Sequence, residues 1–209
     1  MKPVLASLSL FALIACGSPQ EPTNPTPAAP AATENAGKSA LDNGFTLEDL
    51  DGAEVSLAAY KGKTVVLEWY SPSCPFIVHA HAEGPLKDMA ARVTANGDVA
   101  WLAINSSAKG KGADLALNKQ SVTDWNIQHP ILMDPTGEVG QKYGAKTTPH
   151  MFILDGEGNV VYKGALDNAP RGQIEGEYQN YVDAALQDMA AGRPVAMAET
   201  KSYGCSVKY

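Results

Sequence analysis

The sequence predicts a layered α/β domain, a central mixed β-sheet flanked by helices. Three observations carry that expectation. Apolar runs rich in β-branched and aromatic residues and free of proline recur at Thr64–Tyr70, Val99–Ile104 and Met151–Leu154. Stretches with apolar residues at helical spacing lie between them, and such alternation puts a sheet between helical layers. The 209 residues, 44% hydrophobic and 19% charged, suffice for one ordinary core and match neither a fibre nor an integral membrane protein. A formal net charge of -7, with three arginines and no basic stripe, repels phosphate backbones and excludes nucleic acid as the main partner.

At the N-terminus, Lys2 precedes an apolar run from Val4 to Ala15. That is the shape of a secretory signal, and it falls short of the roughly 20 apolar residues a membrane span needs. The run stops at Cys16, and Leu13-Ile14-Ala15-Cys16 resembles a bacterial lipobox. Residues 1–15 are then a lipoprotein signal peptide, and Cys16 carries the lipid that anchors the chain to the membrane. A plain secretory signal with a chance cysteine, or an uncleaved anchor, is the alternative. Gly17, where an inner-membrane signal has Asp, resembles outer-membrane sorting, so the expected location is extracytoplasmic, on the periplasmic side. Residues 16–39 are Pro, Ala, Thr and Asn with hardly an aliphatic side chain; such a composition cannot offset its chain entropy and reads as a disordered tether. The folded domain is expected over residues 40–209, with a tail at 193–209.

Inside the domain, Thr64–Tyr70 reads as a buried central strand. Pro75 to about Val93 reads as a helix broken or kinked at Gly84-Pro85. Val99–Ile104 follows as a strand, and Ala113–Trp125 as a helix. Met151–Leu154 and Asn159–Tyr162 flank Asp155-Gly156-Glu157-Gly158 as the arms of a hairpin. Tyr178–Ala191, apolar at Tyr181, Val182, Ala185 and Met189, reads as the last helix. Trp69, Trp101 and Trp125 are expected in the core. Lys109-Gly110-Lys111-Gly112 reads as a flexible loop and lacks the phosphate-binding pattern.

Chemistry concentrates where the first strand ends, at Ser71-Pro72-Ser73-Cys74-Pro75-Phe76-Ile77. This order puts a thiol at the N-terminus of a helix, where unpaired amides and the helix dipole stabilise a thiolate. A buried, inert cysteine in a strand-to-helix turn is the bland alternative.

Three stretches together resemble the thioredoxin-like superfamily. Val66 to Cys74 is similar to its strand, buried acid, aromatic pair and nucleophilic cysteine. Tyr143 through Pro149 to Asp155 resembles the loop before its cis-proline and the strand after it. Phe45 to Gly52, Val55-Ser56-Leu57 and Tyr60 to Lys63 resemble the N-terminal hairpin of peroxiredoxins and membrane-tethered thioredoxins in the AhpC/TSA (redoxin) branch. The 75 residues from Cys74 to Pro149 leave room for the β-α unit those relatives insert.

The resemblance implies thiol–disulfide exchange with Cys74 as nucleophile, without a cofactor and with a thiol or disulfide protein, or a small thiol or peroxide, as partner. Thioredoxin's second cysteine would fall at Ile77, so Cys205 in the tail is the candidate for resolving a mixed disulfide or sulfenic acid on Cys74 if the tail folds back. A static disulfide is the alternative; closing a loop that long stabilises by about 4–5 kcal/mol in the chain-entropy account. Glu68 stands where thioredoxins carry a buried carboxylate, and burial should raise its pKa and let it move protons. A strand-edge glutamate facing solvent is the alternative.

By the same resemblance Pro149 is cis, and Thr148 exposes its backbone to an incoming strand. Ser71 matches the hydroxyl of the peroxiredoxin signature, but the proline is misplaced and the loop too short. With only Arg92, Arg171 and Arg193 as guanidinium candidates, none in a motif, peroxide reduction is the second reading. A redox-inactive scaffold lipoprotein is the third. His79, His81 and His150 could approach Cys74, but residues two apart do not share a helix face; no metal is expected, and His79 and His81 read as exposed.

Overall fold

The computed structural model describes residues 44–174 and 176–209. The expected signal peptide at 1–15, Cys16 and the tether at 16–39, together with residues 40–43, lie outside the described residues. The chain runs β1 (Thr46–Asp49), β2 (Glu54–Ser56), β3 (Thr64–Trp69), α1 (Pro75–Ala82), α2 (Met89–Thr94), β4 (Val99–Asn105), α3 (Leu115–Asp124), β5 (Ile131–Met133), α4 (Glu138–Tyr143), β6 (Thr147–Thr148), β7 (His150–Leu154), β8 (Val160–Gly164), α5 (Tyr181–Ala190) and β9 (Cys205–Ser206).

β3 is central for the reason its sequence gives. Val65 to Trp69 are all buried, so both faces of the strand are covered and the apolar run is continuous rather than alternating. It pairs parallel with β4, Leu67 opposite Leu102, and antiparallel with β7, Leu67 opposite Phe152. The sheet order is β2-β1-β5-β4-β3-β7-β8, with β5 parallel to β4, and β1 and β8 antiparallel to their neighbours. This is the expected mixed sheet. β1 and β2 form the N-terminal hairpin, and α3 with β5 extends the sheet beyond β4.

Leu67, Trp69, Leu102, Ile104 and Phe152 build the core on one face. Val66, Trp101, Met151 and Ile153 pack on the other against Ala80 of α1, Met89 of α2 and Val182 of α5. Each such aliphatic side chain contributes about 1.5–3 kcal/mol of burial.

The helix read from Pro75 to about Val93 is two helices. α1 ends before Gly84, whose would-be Cβ lies 2.9 Å from Ala80 Cα. Only a glycine lets the chain turn that closely on the preceding helix, and Pro85 then starts a short 3-10 turn. α3 and α5 each begin on an Asx cap: Asp114 accepts from the Leu117 amide and Asn180 from the Asp183 amide. The caps explain why both helices start two to three residues later than their apolar spacing suggests.

β5 and α4 escape sequence reading because one is three residues long and the other six, too short for a period. The Lys109–Gly112 segment, read as a flexible loop, is a turn tied at several points: Asn105 donates to the Gly112 carbonyl, and the Ala108 amide to the Lys208 carbonyl.

Candidate functional site

Cys74 is the N-cap of α1, in extended backbone conformation, with Pro75 as the first helical residue. The cysteine therefore sits where the amides of the first turn point outward. It is 3% exposed and packs with Tyr70, Ile77 and Ile127. Ile77, at the position of a second active-site cysteine, is fully buried core.

The Thr148–Pro149 bond is cis, and Thr148 lies against the sulfur: the Cys74 thiol donates to the Thr148 carbonyl at 3.0 Å. β9 occupies the outer side of this corner. It pairs antiparallel with β6, Thr147 opposite Ser206 and Thr148 opposite Cys205. The tail thus brings Cys205 beside Cys74, and both line one cavity.

The tail is held along its length. The Thr200 amide donates to the Lys163 carbonyl, and the Thr200 hydroxyl accepts from the Ala165 amide. Tyr203 packs tilted against Phe76 and donates to buried Asp167 at 2.6 Å. Val207 donates to the Lys146 carbonyl, and the Tyr209 hydroxyl to the Ala145 carbonyl. Gly204 is the tightest point. Its φ is +125, and a Cβ there would strike the Thr148 carbonyl oxygen and stand 2.7 Å from its carbon.

The two thiols differ in acidity. Burial pushes Cys74 upward, but the side chains of Cys205 and Thr148 and the amides of Ile77 and Cys205 outweigh it, leaving the pKa below that of an ordinary thiol. Cys205 is pushed up to about 11, first by burial, then by the neighbouring Cys74 side chain and the charge there, with Lys208 opposing. Cys74 is therefore the more acidic thiol of the pair. A cavity of 90 Å³ adjoins both sulfurs, lined also by Ser71, Ser107, Lys111 and Lys208. It has room for about three waters. Ser71 stands on this wall, and its carbonyl accepts from the Cys74 amide.

No arginine lines the cavity. Arg92 makes two bonds to Asp183, Arg193 pairs with Asp188, and Arg171 borders a separate groove with Ser73 and Pro75. The positive groups beside the thiols are Lys111 and Lys208, which stand in no recognisable motif.

Glu68 is fully buried, and both oxygens are committed: Oε1 pairs with His81 Nε2 at 2.8 Å, and Oε2 accepts from Trp101 Nε1 at 3.0 Å. The expected upward shift is corrected. Burial by itself raises the pKa, but the His81 and His129 imidazoles and the Trp101 bond hold it below the usual carboxylate range. A carboxylate so pinned keeps its charge and is not poised to exchange protons.

His81 also departs from expectation. It is 2% exposed, stacked on Trp125 and edge-on to Tyr70, because it lies on the inward face of α1 with Cys74 and Ile77. The spacing 74, 77, 81 is helical and was legible in the sequence. His79 is half-buried and pairs with Glu83. His150 accepts from the Lys146 amide, so the three histidines take separate partners.

Comparison with known proteins fits this geometry. The profile of the Redoxin family matches residues 27–181. A thiol-disulfide oxidoreductase ResA from Bacillus thuringiensis is 26% identical over 118 residues, 56% of this chain and 63% of that protein. The chain thus spans under two thirds of that relative's length. An uncharacterized conserved protein from Geobacillus kaustophilus superposes with a TM-score of 0.71 at 30% identity, over 83% of this chain and 91% of its own. A hypothetical protein from Sinorhizobium meliloti superposes with a TM-score of 0.69 at 27% identity, over 79% and 91%. The fold and the matched span agree, and the chain belongs to the Redoxin family, with a thioredoxin-like fold.

Proposed function

We propose that the protein is a thiol–disulfide oxidoreductase in which Cys74 is the nucleophile and Cys205 resolves the mixed disulfide. One observation carries this: the tail delivers Cys205 to Cys74 by strand pairing at Thr148, the backbone beside the cis-proline. The likeness to proteins called thiol-disulfide oxidoreductase supports the reaction class.

The Cys74 thiolate attacks one sulfur of a partner disulfide, and the other partner sulfur leaves as a thiolate. Cys205 gives up its proton and attacks the Cys74 sulfur, and the second partner thiolate departs. The partner gains two electrons and two protons, one from Cys205 and one from solvent, and the protein is left with a Cys74–Cys205 disulfide. With the tail docked, Cys74 is too buried for a macromolecular disulfide, so a protein partner must displace β9 from Thr148. Thr148 and Pro149 shape the edge that such a strand would take over. Glu68 fixes α1 through His81 and acts as a positioning residue. The setting we propose is extracytoplasmic, with the chain anchored through lipid on Cys16, as the N-terminal sequence suggests; such compartments sustain disulfide chemistry.

Non-reducing peptide mapping after exposure to a disulfide substrate tests the reading. Cys74 and Cys205 should be linked in the wild-type chain, turnover should vanish in Cys74→Ser, and the mixed disulfide should accumulate on Cys74 in Cys205→Ser. Full turnover by Cys74→Ser would refute it.

A further inference from the structure

The tail does more than supply a second thiol, because it also decides which sulfur the outside can reach. Cys74 is 3% exposed, packed among Tyr70, Ile77 and Ile127 against the Thr148 carbonyl, and the space it borders is the small cavity it shares with Cys205. Cys205 is half-buried on the outer strand, followed by exposed Ser206 and Lys208. Displacement at a disulfide sulfur proceeds in line, with the attacker opposite the leaving sulfur. Packed core leaves Cys74 little room for that approach, whereas Cys205 offers an approach from solvent. We infer that external thiols reduce the oxidised protein by attacking Cys205, with the Cys74 sulfur as leaving group, so the tail is the electron-entry port and Cys74 faces only the disulfide substrate. This rests on the Cys74–Cys205 pairing proposed above.

The step balances. An external thiolate forms a bond to the Cys205 sulfur, the Cys74–Cys205 bond breaks, and Cys74 leaves as a thiolate. A second external thiol attacks the outer sulfur of that mixed disulfide, releasing the external disulfide and returning Cys205 to the thiol. Two electrons and one proton pass to the protein, the proton to Cys205, and the second external thiol's proton goes to solvent.

The leaving-group order agrees independently, since a more acidic thiol departs faster and Cys74 is the more acidic of the two. Lys208 and Lys111 stand on the cavity beside Cys205. Their charge favours an anionic small thiol over a cationic one, by an amount that salt reduces.

The test uses the full-length oxidised chain. Its disulfide is first mapped; the chain is then mixed with excess glutathione, quenched in acid at intervals, capped with a maleimide and mapped again. Glutathione should appear on Cys205 at least tenfold more than on Cys74. As a second measure, Cys74→Ser and Cys205→Ser are each loaded with a chromogenic aromatic thiol on the remaining site cysteine. Glutathione should release the chromophore from Cys205 at least tenfold faster than from Cys74, and cysteamine, which is cationic, should show a smaller advantage. Glutathione found equally or mainly on Cys74, or equal release rates, would overturn the inference and leave the pairing intact. Absence of the linkage before mixing would remove both.

Discussion

Gly204→Ala isolates the tail's docking from everything else in the fold. The backbone there has φ +125, a region costing a residue with a side chain about 1–3 kcal/mol. The added methyl also meets the Thr148 carbonyl, which cannot move without disturbing the corner that holds Cys74. A penalty of about 1–3 kcal/mol confined to the docked state raises the open population about five- to 150-fold. The assay is the rate at which iodoacetamide modifies Cys74 in the reduced protein, read on the Cys74 peptide by mass spectrometry. Because the sulfur is reached through opening, the rate should rise at least fivefold, while the melting temperature changes little, since the tail's other anchors remain. Gly192→Ala is the control: φ is +66 there, but nothing lies within 4 Å of the added carbon, so Cys74 should react as in wild type. A Gly204→Ala rate within twofold of wild type would show that β9 does not shield Cys74.

Other consequences follow from the buried network. Glu68→Ala leaves His81 and Trp101 facing an emptied site and should cost about 3–5 kcal/mol in urea denaturation; a loss under about 1 kcal/mol would contradict the role given to the pair. Burial holds His129 and His150 down to about 4 from the ordinary 6.5. The unfolded chain therefore binds more protons between those values, and stability should fall as pH drops from 6.5 to about 4, by up to about 3 kcal/mol for each histidine. Urea midpoints at pH 7 and 4.5 check this, and His150→Gln should flatten its share. Glu68, with its pKa lowered, contributes stability above the usual carboxylate range that is lost only at still lower pH.

Much of the architecture is local and therefore legible. A strand covered on both faces must read as unbroken apolar sequence, as β3 does, and a cysteine followed by proline at a strand end must start a helix. Caps and close approaches shift the boundaries by a few residues, because Asp114, Asn180 and Gly84 act through single contacts that leave no periodic trace. Cys74 could be singled out because it follows a strand and opens a helix, and Thr148 and Pro149 because their stretch resembles the thioredoxin-like loop before the cis-proline. Glu68's partners could not: its acidity depends on His81, His129 and Trp101, brought to it by a helix, a loop and the next strand, and together they reverse the shift that burial alone dictates. The lysines of the cavity and the shielding of Cys74 were equally hidden. Sequence determined which thiol could be ionised, since helix position is a local property; whether that thiol meets solvent, a partner or the chain's own last strand is a matter of distances between residues 74, 148 and 205, which only the folded chain decides.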